Sequence, residues 1–169
     1  MGIEIPQNKF LILDGAMGTV LQQRGLSPQG RPELLNLTEP ELLDSVYKEY
    51  IAAGSQVIYA NTFGANGLKL AKTGHSVEEV VGAAIAVAKK AAAGTGTLVA
   101  LDVGPLGELL EPMGTLSFER AYDLFREMAE AGAKAGADLI VVETMTDLYE
   151  AKAALLAAKE AAHLPVFVT

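Results

Sequence analysis

Short apolar runs alternate along this chain with longer stretches in which apolar residues recur every three or four positions. The runs cover residues 10–13, 57–60, 98–101, 139–142 and 166–168. They are rich in Val, Ile and Leu and lack the polar alternation of a half-exposed strand, so each is expected to be a strand covered on both faces. The stretches between them have helical spacing. Residues 41–53 place Leu42, Leu43, Val46, Tyr47, Tyr50 and Ile51 on one face, with Gly54 as a stop. Residues 77–93 are Ala/Val-rich and end at Gly94; residues 118–135 align Phe118, Ala121, Leu124, Phe125 and Met128 before Gly136. Residues 147–162 open at Thr146 or Asp147, either of which can cap, and close before Pro165.

The resulting β-α-β-α-β-α-β-α-β order predicts a parallel α/β sheet. An internal repeat refines this. Ala53-Gly54 leads through a strand to Asn61-Thr62, and Ala135-Gly136 leads through another to Glu143-Thr144. The two copies lie two units of 41 residues apart, a size that suits the βα unit of a (β/α)8 TIM-type barrel. Such a barrel takes roughly 250 residues, so residues 1–169 are expected to form one domain, the first five or so βα units of a partial barrel that stops at Thr169. A doubly wound open sheet is the alternative; it would insert strand one between later strands.

Composition narrows the function. Half the residues are hydrophobic and 20% are charged, an ordinary globular balance. Thirteen basic against 21 acidic residues give a net charge of −8 with no basic cluster, which argues against nucleic acid as a partner. The opening Met1-Gly2-Ile3-Glu4-Ile5-Pro6 has no basic, apolar leader pattern, and no run is long enough to span a bilayer, so a cytoplasmic protein without a membrane partner is expected. There is no cysteine, hence no disulfide and no thiolate metal ligand.

The chemistry is expected where the strands end. Strand one runs into Asp14-Gly15-Ala16-Met17-Gly18-Thr19, strand two into Asn61-Thr62-Phe63-Gly64, strand three into Asp102-Val103-Gly104-Pro105 and strand four into Glu143-Thr144. In a parallel barrel these positions meet at one mouth. Three carboxylates there suit an ammonium group or a hard cation, and glycine-flanked amides suit a carboxylate or a phosphate. Ammonium and carboxylate together describe an α-amino acid. Asp14 and Asp102 are equally capable of bonding their own turns. Neither Gly15–Gly18 nor Gly104–Gly107 has dinucleotide-fingerprint spacing. His75 and His163 are read as surface residues, Met113 and Met128 as packing residues.

In order and spacing, the segments starting at Asp14, Asn61 (continuing to Ala65-Asn66), Asp102 and Glu143 resemble the homocysteine S-methyltransferase family, most of all its cobalamin-dependent, methionine-synthesising branch. The resemblance implies a zinc-dependent methyltransferase of methionine biosynthesis that passes a methyl group, from methylcobalamin in that branch, to the homocysteine thiolate. It implies that Asp14 and Glu143 hold the homocysteine ammonium, that the Gly15 and Ala16 amides meet its carboxylate, and that Asn61, Thr62 and Asp102 line the same mouth. It also implies a zinc held by three cysteines on later strands, which this sequence lacks. The chain by itself is therefore expected to be inactive, with further domains or the other barrel half as partners, or self-association through open sheet edges. Two alternatives remain: a non-catalytic half-barrel module, and a barrel enzyme holding Mg²⁺ through its carboxylates.

Overall fold

The structure is a computed structural model that describes residues 10–27 and 30–169; the opening residues 1–6, read above for a leader pattern, lie outside that range. In chain order the elements are α1 (Met17–Gln23), a 3₁₀ turn (Pro32–Leu34), α2 (Leu35–Thr38), α3 (Pro40–Ala52), β1 (Val57–Tyr59), α4 (Gly67–Leu70), α5 (Val77–Ala92), β2 (Leu98–Val103), α6 (Phe118–Ala135), β3 (Leu139–Val142), α7 (Leu148–Ala162) and β4 (Val166–Val168). The strands make one parallel sheet in the order β1-β2-β3-β4. β1, β2 and β3 begin at Val57, Leu98 and Leu139, equal steps of 41 residues. Sheet order following chain order is the partial-barrel arrangement, and it excludes the doubly wound alternative.

The four long helices form where the apolar period runs, and their ends follow local chemistry. Ser76 accepts from Glu79 N at 3.1 Å to start α5, and Ser117 accepts from Arg120 N at 3.1 Å to start α6. Gly136, at φ 93°, ends α6 in the left-handed conformation that glycine adopts without a Cβ clash.

The run at 10–13 is a correction. Expected as a strand, it contributes a single parallel bridge from Leu13 to Val57. Its place beside β1 is the expected one: Gln56 N and Val57 N donate to the Ile12 carbonyl at 2.7 and 3.2 Å, and Asp14 N to the Val57 carbonyl at 3.0 Å. Its extent is not, because Phe10 is 94% and Ile12 54% exposed, so little apolar burial holds the segment against the sheet.

Successive strand residues point to opposite faces, and both faces are buried. Ile58, Val99, Leu101, Ile140 and Val142 pack outward into the main core with Leu43, Val46 and Tyr47 of α3, Val80 and Ile85 of α5 and Phe125 and Met128 of α6. On the inner face Val57, Ala100, Leu139 and Val141 form a second cluster, flanked by the half-buried Tyr59 and Phe167. α6 lies close to β2: a Cβ at Gly132 would stand 2.7 Å from Leu101 Cδ2. Met113, read as a packing residue, is instead 81% exposed; it sits on the irregular connection between β2 and α6, which presents no continuous apolar face. Among the described residues no helix is long and apolar enough to cross a membrane.

Candidate functional site

The inner face of the sheet continues, at the C-terminal ends of the strands, into a cavity of about 720 Å³. The period of two carries it there. Leu98, Ala100 and Asp102 share a face, as do Leu139, Val141 and Glu143, and Val57, Tyr59 and Asn61. Asp14, Gly15 and Ala16 enter from the segment beside β1, and Asp14, Gly15, Ala16, Asn61, Asp102 and Glu143 all line the one cavity. Thr62 has the opposite parity and is fully buried behind the wall. Its hydroxyl donates to the Asp102 carbonyl at 2.7 Å and accepts from Asp102 N at 3.0 Å, so it ties the end of β1 to β2. The mouth position expected for Thr62 is thus replaced by a role in fixing its neighbour.

The lining residues are held by their elements. Asp14 Oδ2 accepts from Tyr59 N at 2.8 Å, bonding the adjacent strand. Asn61 N donates to the Tyr47 hydroxyl of α3 at 2.8 Å, and Asn61 Nδ2 to the Pro32 carbonyl at 2.6 Å. Gly15 lies against Tyr50: a Cβ there would be 3.1 Å from the phenol oxygen. Gly104 lies against Phe63, whose Cδ2 would be 2.6 Å from an added Cβ, so the Phe63 ring can stand at the cavity wall only because residue 104 has no side chain. His75 faces Glu79 on the surface, Nδ1 to Oε2 3.1 Å, and His163 is exposed at the end of α7.

Burial and mutual repulsion set the protonation of the acids. Burial pushes the Asp14 carboxyl up to about 7, against the lowering effect of the Tyr59 N–H, with Glu143 raising it further. Asp102 is raised well above the carboxylate range, by burial first and then by Glu143, Asp14 and Glu33. Burial raises Glu143 as well. Burial and then the same carboxylates, Glu143 first, push the Tyr59 phenol up to about 12. A cation entering this mouth would favour the ionised carboxylates and receive charge-assisted hydrogen bonds from them.

The strand-end reading did not identify Glu33, Tyr59 or Phe63, which also line the cavity. Tyr59 carried a signal, since it precedes Asn61 by two and so shares its face. Phe63 lay within a motif without a role. Glu33 carried none: it comes from the 3₁₀ turn and reaches the site by accepting from Gly64 N at 2.8 Å.

A zinc site does not fit the residues present. The chain has no cysteine, and among the described residues no three His, Cys, Asp or Glu side chains are grouped to hold a metal ion. The same grouping test goes against the carboxylate–Mg²⁺ alternative. The arrangement can bind and orient a small cation-bearing molecule.

Comparison with known proteins bears on what that molecule is. A homocysteine S-methyltransferase family profile matches residues 11–169. Methionine synthase of Mycobacterium tuberculosis is 31% identical over 185 residues, covering 98% of this chain and 15% of the relative; that of Mycobacterium leprae is 31% identical over 186 residues, with the same coverage. Crystal structures of the homocysteine methyltransferase MmuM from Escherichia coli superpose with TM-scores of 0.81. The oxidised form is 29% identical and covers 95% of this chain and 61% of its own; the metallated form is 27% identical, with 96% and 63% covered. This chain thus spans about a seventh of the length of those methionine synthases.

Proposed function

The chain belongs to the homocysteine S-methyltransferase family, and on that premise we propose that it is the part of a methionine-forming methyltransferase that binds and orients homocysteine. The observation that carries the proposal is the convergence of Asp14, Asp102 and Glu143 with Gly15 and Ala16 on one cavity at the C-terminal end of a parallel sheet. In this reading Asp14 and Glu143 take the ammonium, and the backbone amides of Gly15 and Ala16 take the carboxylate. Asn61 and Asp102 complete the wall, with Thr62 holding Asp102 from behind.

What these groups do is bind, orient and exclude water. A thiol becomes a strong nucleophile only on losing its proton, and no residue assigned here removes it. Zinc and methylcobalamin, implied by the resemblance, have no holding residues in this chain, so no step is assigned through either. The reading gives the chain the amino acid and leaves sulfur activation and the methyl donor to other parts of the assembly. The methionine synthases it matches are several times its length, which supports further domains as partners.

Calorimetric titration with L-homocysteine tests this. Binding by the wild type is expected, and Glu143→Ala should weaken it by about 2 kcal/mol or more, the cost of leaving a desolvated charge without its partner. An unchanged dissociation constant in Glu143→Ala would count against the ammonium assignment.

A further inference from the structure

Two of the three acids at the mouth are already engaged or partly solvated: Asp14 accepts from Tyr59 N, and Glu143 is half-buried. Asp102 is different. It lines the cavity at 8% exposure, and its Oδ1 is sealed from solvent with no hydrogen-bond partner among the described residues. Its backbone is pinned on both sides by the Thr62 hydroxyl, at 3.0 and 2.7 Å, so the carboxyl has no freedom to turn away. The titratable groups that face it are Asp14 from the segment beside β1, Glu143 from the end of β3, Glu33 from the 3₁₀ turn, Tyr59 on β1 and Tyr47 on α3. All of them are acids. A fixed, buried carboxyl oxygen without a partner, at the wall of a cavity, is explained when a ligand supplies the donor.

We propose that Asp102 is a ligand-contacting carboxyl that carries a proton before the ligand arrives and surrenders it when the ligand's ammonium enters, so that binding the amino acid releases one proton. The proposal rests on the amino-acid reading above. The exchange balances simply. The Asp102 O–H bond breaks with its electron pair left on oxygen, the proton goes to the buffer, and an ammonium N–H then donates to that oxygen. No bond of the ligand forms or breaks. Burial among like charges favours the neutral carboxyl beforehand, and an opposite charge favours the ionised one afterwards.

The test uses L-methionine, whose sulfur has no proton to lose, in buffers of differing ionisation enthalpy. It is run at about pH 8, above the value of about 7 at which Asp14 ionises. The slope of binding enthalpy against buffer enthalpy counts protons. Close to one released proton per ligand is expected in the wild type. In Asp102→Asn near zero is expected, with binding at least tenfold weaker. In the infrared, the stretch of a protonated carboxyl should disappear when methionine is added to the wild type, a readout that stands even where Asp102→Asn fails to fold. Binding without any buffer dependence, or the same proton count in Asp102→Asn, overturns the role of Asp102 and leaves the amino-acid reading standing. No binding of methionine or homocysteine by the wild type overturns both.

Discussion

At the residue scale, the rim acids were legible because a hydrophobic run that ends in a charge is a costly arrangement unless the charge is used. Asp14, Asp102 and Glu143 stand out on that ground alone, and the structure brings all three to one cavity. Glu33 was illegible, because its place depends on a turn whose fold no periodicity announces. Thr62 was half legible: its strand end was right, its face was not. Asp14 also makes stability depend on pH in a definite direction. Folded Asp14 keeps its proton up to about pH 7, whereas an unperturbed aspartate loses it near pH 4, about 3.9. Across that window the folded state binds more protons than the unfolded one, so this group's contribution to stability falls as pH rises. Asp14→Asn removes the titration while keeping an oxygen for Tyr59 N. Its urea midpoint should gain on the wild type between about pH 4 and pH 7 and hold a constant difference outside that window. A difference that stays flat through the window would show that Asp14 titrates normally.

At the element scale, the long helices were readable because their apolar stripes repeat over three turns or more, and α6 spans the expected residues, Phe118–Ala135. α1, α2 and α4 have seven, four and four residues, too few for a period to register; α4 is set by its Asn66 cap, which accepts from Leu68 N and Lys69 N at 3.1 and 3.0 Å. The first strand was over-read because an apolar run signals burial only where something covers it. α7 shows how an element's end reaches the site. Asp147 caps it, accepting from Tyr149 N at 2.7 Å and Glu150 N at 3.4 Å. The buried Glu150 then accepts from Leu106 N at 2.7 Å, which holds the chain just beyond Asp102 and Gly104. Asp147→Ala should cost about 1 kcal/mol of stability, as lost caps do, measured by urea unfolding. It should also speed hydrogen exchange at the Leu106 amide. Unaltered exchange there would mean that the cap and the β2 loop are not coupled.

At the scale of the whole molecule, the 41-residue repeat made strand order readable before any coordinate, since equal units stacked in sequence generate a parallel sheet in chain order. The sheet has β4 at one side and only the short bridge at Leu13 on the other, where Phe10, Ile12, Leu13 and Val168 stand more than a third exposed. Unpaired strand edges with apolar neighbours invite further pairing. In sedimentation at a concentration on the order of 100 μM, the isolated chain should therefore run heavier than a single copy. A monomer that binds no apolar dye would refute this. The same neighbour-to-neighbour pairing also has a consequence for how the chain is made. No strand waits for a distant partner: each finds the preceding one a single 41-residue unit earlier, so every loop to be closed is of similar length and entropy. On a ribosome each finished unit offers the next one a ready template. Assembly can then keep pace with synthesis, and a pause leaves a shorter ordered sheet with its outer helices in place instead of a tangle awaiting its other end.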